Sequence, residues 1–204
     1  MIAIIDYDAG NLFSAQKAFE ALGAEVKVTR DPADLRAAEK LVLPGVGAFG
    51  DCMEHLRATG LIPVIREEVA AGKPLLGICV GLQILFESSE ESPGAAGIGL
   101  LKGQVKKIDA GGLKVPHMGW NSLTFRGAKA DSIDLYAGLP EHPYVYFVHS
   151  YAAVPAEPGI ATAVTDYGGA ITAAVACGNI LATQFHPEKS GDVGLKILRN
   201  FLEG

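Results

Sequence analysis

Cysteine is scarce in this chain: its 204 residues include three, Cys52, Cys79 and Cys177. An odd number without metal-ligand spacing argues against a disulfide framework and against a zinc site. Positive charge is in deficit as well. Seventeen Lys and Arg face 23 Asp and Glu, for a formal net charge of −6 with no basic run, so the surface offers little attraction to a nucleic-acid backbone. The pattern G-x-x-x-x-G-K-[ST] does not occur, which leaves no P-loop fingerprint. The start, Met1-Ile2-Ala3-Ile4-Ile5-Asp6, lacks the basic region and cleavage site of a signal peptide, and the expectation is a cytoplasmic chain. A long uncharged stretch over 167–184 is split by Gly178-Asn179, a dipeptide that suits a hairpin turn rather than a membrane span.

What is present is a globular composition, 49% hydrophobic and 20% charged, with 25 glycines that imply many tight turns. The length fits one domain over 1–204. Residues 2–5 read as a buried strand, and Asn11 as the cap of a helix carrying Leu12, Ala15, Phe19 and Leu22 on one face until Gly23 ends it. A strand over 26–28, a short helix opened by Asp31-Pro32 and a strand over 41–43 follow. Residues 75–78 read as a further strand leading into a helix over 81–87. Beyond about Glu90 the pattern changes, with candidate strands at 105–108, 113–115, 144–148, 160–164, 171–175 and 180–183, and a closing helix over 193–201. The expected fold is a single α/β domain: a mixed, mostly parallel central sheet flanked by helices, which the strand-rich second half extends.

The segment Gly77-Ile78-Cys79-Val80-Gly81-Leu82-Gln83 places a cysteine between an apolar strand and a helix, with glycine two residues away on either side. That spacing suits a sharp strand-to-helix turn that exposes a nucleophile at the helix N-terminus. There the partial positive charge favours thiolate and free amides can receive an oxyanion. A buried structural thiol is the alternative, and Cys52 and Cys177, which lack this frame, are assigned to it. His186-Pro187-Glu188 follows a strand pattern, and residues two apart in extended backbone face the same way, so Glu188 can orient His186 as a base for Cys79. A solvated surface pair is the competing reading, and a metal site is disfavoured by the lack of further paired ligands. The loop Leu43-Pro44-Gly45-Val46-Gly47 either turns its amides toward an oxyanion, together with the amide of Val80, or is an ordinary strand-end turn. The stretches 115–121 and 144–151 mix aromatic and polar side chains, as core rims and partner interfaces both do.

Taken together, the Cys79 segment and Phe185-His186-Pro187-Glu188 resemble the class I (triad) glutamine amidotransferases. The likeness runs along essentially the whole chain. It sharpens at Asp6-Tyr7-Asp8-Ala9-Gly10-Asn11, Pro44-Gly45-Val46-Gly47, Pro116-His117-Met118-Gly119-Trp120-Asn121 and Phe147-Val148-His149-Ser150-Tyr151. These look like the members that feed ammonia to a separate (β/α)8-barrel cyclase subunit in histidine biosynthesis. The resemblance implies that Cys79 attacks the glutamine carboxamide, His186 shuttles protons and Glu188 holds His186, with Val46 and Val80 amides receiving the oxyanion. It further implies that Gly47, Gln83, Glu91, Ser150 and Tyr151 hold glutamine, and that neither a metal nor an organic cofactor is required. A heterodimer with the cyclase would form across Asn11, Pro116, His117, Met118, Gly119, Trp120, Asn121, Tyr136 and Lys189. Val80 and Leu82 stand where the family often has Leu and Met, and Asp8 where glycine is frequent. The alternatives are an amidotransferase of the anthranilate or carbamoyl phosphate type, a free-standing hydrolase on the same fold, or an inert regulatory subunit.

Overall fold

A computed structural model describes residues 1–127 and 131–204. In chain order the elements are β1 (Ile2–Ile5), α1 (Leu12–Ala21), β2 (Val26–Thr29), α2 (Pro32–Ala37), β3 (Lys40–Gly45), α3 (Phe49–Ala58), α4 (Ile62–Ala70), β4 (Leu75–Cys79), α5 (Val80–Gln83), β5 (Ser88–Ser89), β6 (Gly103–Lys107), β7 (His117–Ser122), β8 (Thr124–Phe125), β9 (Tyr144–His149), β10 (Tyr151–Pro155), β11 (Ala161–Asp166), β12 (Ala170–Cys177), β13 (Ile180–Thr183) and α6 (Gly191–Glu203). Short 3-10 turns lie at Pro158–Ile160 and Pro187–Lys189. Among the described residues, no helix is long and apolar enough to cross a membrane.

The eight-stranded main sheet runs β2-β1-β3-β4-β13-β12-β11-β8. From β2 to β13 neighbouring strands are parallel, and from β13 to β8 they are antiparallel. The central strands β1, β4 and β13 are buried at every position, as unbroken apolar runs covered on both faces should be. The Asn11 side chain accepts from the Ser14 amide at 3.3 Å and the Asp31 side chain from the Ala33 amide at 2.8 Å, so both expected N-caps form. Phe19 of α1 meets Phe201 of α6 at 6.3 Å between ring centres, which packs these two helices together. Cys79 ends β4 in the middle of the parallel region, paired in register with Gly45 of β3. Ligands of open α/β sheets collect in the crevice at such carboxyl ends.

Several expectations need correcting. The second half does not all extend one sheet: β10-β6-β5 form a separate three-stranded sheet and β7-β9 a two-stranded one. Residues 113–115 are an exposed loop, not a strand; they follow Gly111 and Gly112, both at positive φ. The helix expected over 81–87 stops at Gln83. The carbonyls of Ile84, Leu85 and Phe86, which a continuing helix would use, accept instead from the amides of Ile98, Leu101 and Gly99. Helices α3 and α4 stand between 48 and 71, where no element is expected from the sequence.

Candidate active site

The turn from β4 into α5 is strained at one residue. Cys79 has φ 56 and ψ −111, and Asp8 is the other non-glycine residue at positive φ among those described. Such a conformation costs on the order of 1–3 kcal/mol and persists only where packing over-determines it. The flanking glycines supply space for that packing. A Cβ on Gly81 would lie 1.8 Å from the Leu43 carbonyl oxygen, and one on Gly77 would lie 3.0 Å from the Gly81 oxygen and 3.1 Å from the Ala182 Cβ. Close approach therefore requires glycine at 81 and leaves little room at 77, while the unusual φ falls on the cysteine itself. Because α5 has four residues, the helix-dipole contribution expected from the sequence is small.

His186 directly faces its carboxylate. Its Nδ1 lies 2.8 Å from Glu188 Oε1, with the two side chains 1% and 2% exposed. The geometry differs from the extended one expected, because Pro187–Lys189 is a 3-10 turn that folds Glu188 back onto the imidazole. Burial alone would lower the imidazole pKa. The Cys79 sulfur, and after it the Glu188 carboxylate, outweigh burial and raise it to about 9. Nε2 is buried and makes no well-formed hydrogen bond among the described residues. A carboxylate thus fixes Nδ1–H, and Nε2 is left to exchange protons at the sulfur.

A cavity of about 270 Å³ opens over this pair, lined by Val46, Gly47, Cys79, Val80, Gln83, Glu91, Pro116, Val148, His149, Ser150, Tyr151 and His186. All ten residues expected to act on or hold the substrate therefore meet at it except Glu188, which stands behind His186. Gln83 is anchored by donating to the Tyr151 carbonyl at 2.9 Å and to Gln184 Oε1 at 3.1 Å. Glu91, the one carboxylate in the lining, accepts from the Phe49 amide at 2.8 Å. A larger hollow of about 680 Å³, between β6, β10, β11 and β12, contains none of these residues and neither cysteine nor histidine.

Three neighbours were not singled out as site residues from the sequence. Gln184 places Nε2 3.8 Å from the Cys79 sulfur. It lies two residues before His186, and the same alternation argument that links 186 and 188 would have found it. His149 donates from Nδ1 to the Tyr151 carbonyl at 2.9 Å, which leaves Nε2 to accept from His117 Nδ1 at 3.0 Å. Burial holds His149 near 4 and lowers His117, so both rings are neutral at pH 7. Val148, beside it, also lines the cavity.

A sequence profile described as "Glutamine amidotransferase class-I" matches residues 3–204. The chain belongs to the class-I glutamine amidotransferase family. This amidotransferase is 52% identical over 204 residues to "Imidazole glycerol phosphate synthase subunit HisH" of Synechococcus sp. (strain JA-3-3Ab), covering 99% of the chain and 93% of that relative. It is 50% identical to the protein of the same name from Moorella thermoacetica, covering 99% and 94%. Among solved structures, a glutamine amidotransferase superposes with TM-score 0.77 at 22% identity, covering 100% of this chain and 98% of that one. "Structure of PurLQS from Thermotoga maritima" gives 0.78 at 22%, covering 99% and 97%. At that identity the two structures bear on the fold alone.

The amidotransferase also presents an apolar face beside the cavity. In the β7-β9 ribbon, side chains alternate: His117, Phe147 and His149 point inward, while Met118 and Trp120 are 62% and 53% exposed. Tyr144 is exposed on the same outer face, and Trp120 packs edge-on against Tyr146. Of the residues expected at a partner, Pro116 and Lys189 are exposed, Asn11 and Gly119 are half-buried, and Asn121 donates to the Asp166 carbonyl. His117 lies in the interior beneath that face. Tyr136 stands apart: its ring stacks on Phe125 and its hydroxyl pairs with Thr162, so the side chain is turned inward.

Proposed function

We propose that this chain is the glutaminase subunit of an imidazole glycerol phosphate synthase and acts in the cytoplasm as a heterodimer with a (β/α)8-barrel cyclase subunit. The observation that carries the chemistry is the strained Cys79, held at the mouth of an amino-acid-sized cavity beside a His186–Glu188 pair. The Cys79 thiol passes its proton to His186 Nε2 as its sulfur attacks the side-chain carbonyl carbon of glutamine, and the carbonyl oxygen becomes an oxyanion received by the amides of Val46 and Val80. His186 gives its Nε2 proton to the departing nitrogen, the carbon–nitrogen bond breaks, and ammonia and a thioester remain. Water then attacks the thioester, losing a proton to His186, and glutamate leaves as the thiol is restored. Gln83, Ser150 and Tyr151 offer polar groups to the amino acid, Gly47 gives it backbone access, and Glu91 supplies the negative charge that suits its ammonium.

The closeness to the synthase subunits, at about half identity over nearly the full chain, favours this reading over other amidotransferases. The apolar outer face of β7-β9 supports docking of a partner there, with Trp120 as its anchor. The test is a titration: glutaminase activity measured alone, then with the cyclase subunit, then with the cyclase and its ribonucleotide substrate. Turnover that rises with the partner and its substrate is expected. Full activity without a partner would instead identify a free-standing hydrolase, and silence under all three conditions an inert subunit.

A further inference from the structure

The Val46 amide sits in the Gly45–Val46 peptide, and the two peptides on either side of it are held by side chains from elsewhere in the fold. Tyr7, fully buried just beyond β1, donates its hydroxyl hydrogen to the Pro44 carbonyl at 2.6 Å. Cys52, in the first half of α3, directs its thiol at the Val46 carbonyl at 3.4 Å. One bond therefore fixes the Pro44–Gly45 peptide and the other the Val46–Gly47 peptide. Gly45 adds a third restraint. A Cβ at that position would lie 2.7 Å from the Tyr7 hydroxyl and 2.7 Å from the Gly81 amide, so the loop is squeezed between the phenol and the turn that carries Cys79. Burial, and after it the neighbouring Cys52, hold the Tyr7 phenol well above its usual pKa, and burial pushes the Cys52 thiol up to about 11. Both groups consequently remain protonated donors throughout the neutral range.

We infer that Tyr7 and Cys52 are positioning residues that set where the Val46 amide stands relative to the Cys79 sulfur. The inference rests on the glutaminase reading above and deepens it. An oxyanion donor must be placed to within about 0.5 Å and 10–20° to act, and neither Val46 nor Gly47 has a side chain that could anchor its own backbone. Neither Tyr7 nor Cys52 lines the cavity. Loss of a whole oxyanion donor costs about 10²–10³ in kcat. Loss of one of two backbone restraints should cost less, about tenfold.

The experiment uses the complete complex with the cyclase subunit and compares Tyr7→Phe, Cys52→Ala and Cys52→Ser. In Tyr7→Phe and Cys52→Ala the kcat for glutamine should fall about tenfold while KM stays within about twofold, because substrate binding uses other groups. Cys52→Ser retains a hydrogen to donate to the Val46 carbonyl and should recover most of the loss. Alkylation of Cys79 by iodoacetamide, followed by mass spectrometry of its peptide, displaces iodide at carbon and develops no oxyanion, so its rate should equal that of the unaltered complex. A kcat within twofold of the unaltered complex in both Tyr7→Phe and Cys52→Ala overturns the inference, as does alkylation that slows in step with turnover. An unaltered complex that fails to hydrolyse glutamine would refute the glutaminase reading itself, which separates the two failures.

Discussion

Replacing Glu188 with glutamine removes a charge from the site while keeping its shape. The carboxylate oxygen lies 2.8 Å from His186 Nδ1 and both side chains are shielded from water, so solvent screening does little to soften the change. Burial opposes the imidazolium; the Cys79 sulfur and, second to it, Glu188 carry the pKa from 6.5 to about 9. That rise corresponds to roughly 3 kcal/mol. The carboxylate is the second contributor after Cys79, so its loss lowers the imidazole pKa. An amide at 188 can also turn its NH2 toward Nδ1, which moves the ring proton to Nε2 and spoils the base at the face toward Cys79. Both effects act in one direction, and together they predict a fall of about 10² in kcat/KM for glutamine. Turnover in the complex would be measured alongside the pH dependence of Cys79 alkylation and an NMR titration of the His186 ring. The His186 midpoint should move down. An unmoved midpoint with turnover within threefold of the unaltered protein would refute the electrostatic role given to Glu188.

Cys79→Ala should abolish glutamine-dependent synthesis by the complex and spare synthesis from added ammonia; retained glutamine turnover would remove Cys79 from the nucleophile's role. Gly81→Ala forces a Cβ to within 1.8 Å of the Leu43 oxygen, and backbone cannot yield as a side-chain tip can. The expected cost is about 3 kcal/mol or more, a fall in Tm of about 6–12 °C by calorimetry. Trp120→Ala should weaken association with the cyclase by about 2 kcal/mol, roughly 30-fold in Kd, with an unchanged circular-dichroism spectrum, because the side chain is half exposed in the isolated chain. Stability should pass through a maximum between the two histidine transitions. His186 is raised to about 9, so its contribution is complete below about pH 6.5 and lost as pH climbs through 9; His149 is lowered to about 4, so its contribution is complete above about pH 6.5 and lost as pH falls through 4. Each is on the order of 3 kcal/mol, and denaturant midpoints measured from pH 4 to pH 10 would test both limbs.

The parallel half of the fold was legible because its signals are local. The run 2–5, the caps Asn11 and Asp31, and the glycine that ends α1 each report on a few adjacent residues, and all of them form where expected. Sheet membership is different. The strands β6 and β10 look much like β11 and β12 in sequence, yet they pair with each other in a sheet of their own, and pairing partners are fixed by contacts that no short window contains. The helix expected over 81–87 failed for the same reason, since its carbonyls were claimed by amides 98–101, more than ten residues downstream. The α3 segment was readable in principle: Phe49, Cys52, Met53 and Leu56 are buried at helical spacing.

The site divides along the same line. Cys79 and the His186–Glu188 pair were visible because glycine spacing and a His-x-Glu pair are patterns of residue type, and residue type is what chemistry selects. The sharp turn read from the spacing forms, with Gly77 and Gly81 giving room to a carbonyl and a methyl group, while the positive φ belongs to Cys79. Asp8 shows the converse. It stands at φ 61 where the family often has glycine, and Arg30 bridges it to Asp6 with bonds of 2.7 Å to each carboxylate. Asp tolerates the left-handed region better than most residues, and the shared guanidinium holds the turn from outside. The departure from glycine therefore leaves intact the loop that delivers Tyr7 to Pro44. The roles of Tyr7 and Cys52 carry no signal in the sequence, because their partners are main-chain carbonyls that any residue at 44 and 46 would present. Groups that react are recognisable by what they are, whereas groups that only hold backbone in place become recognisable once the chain has brought them there.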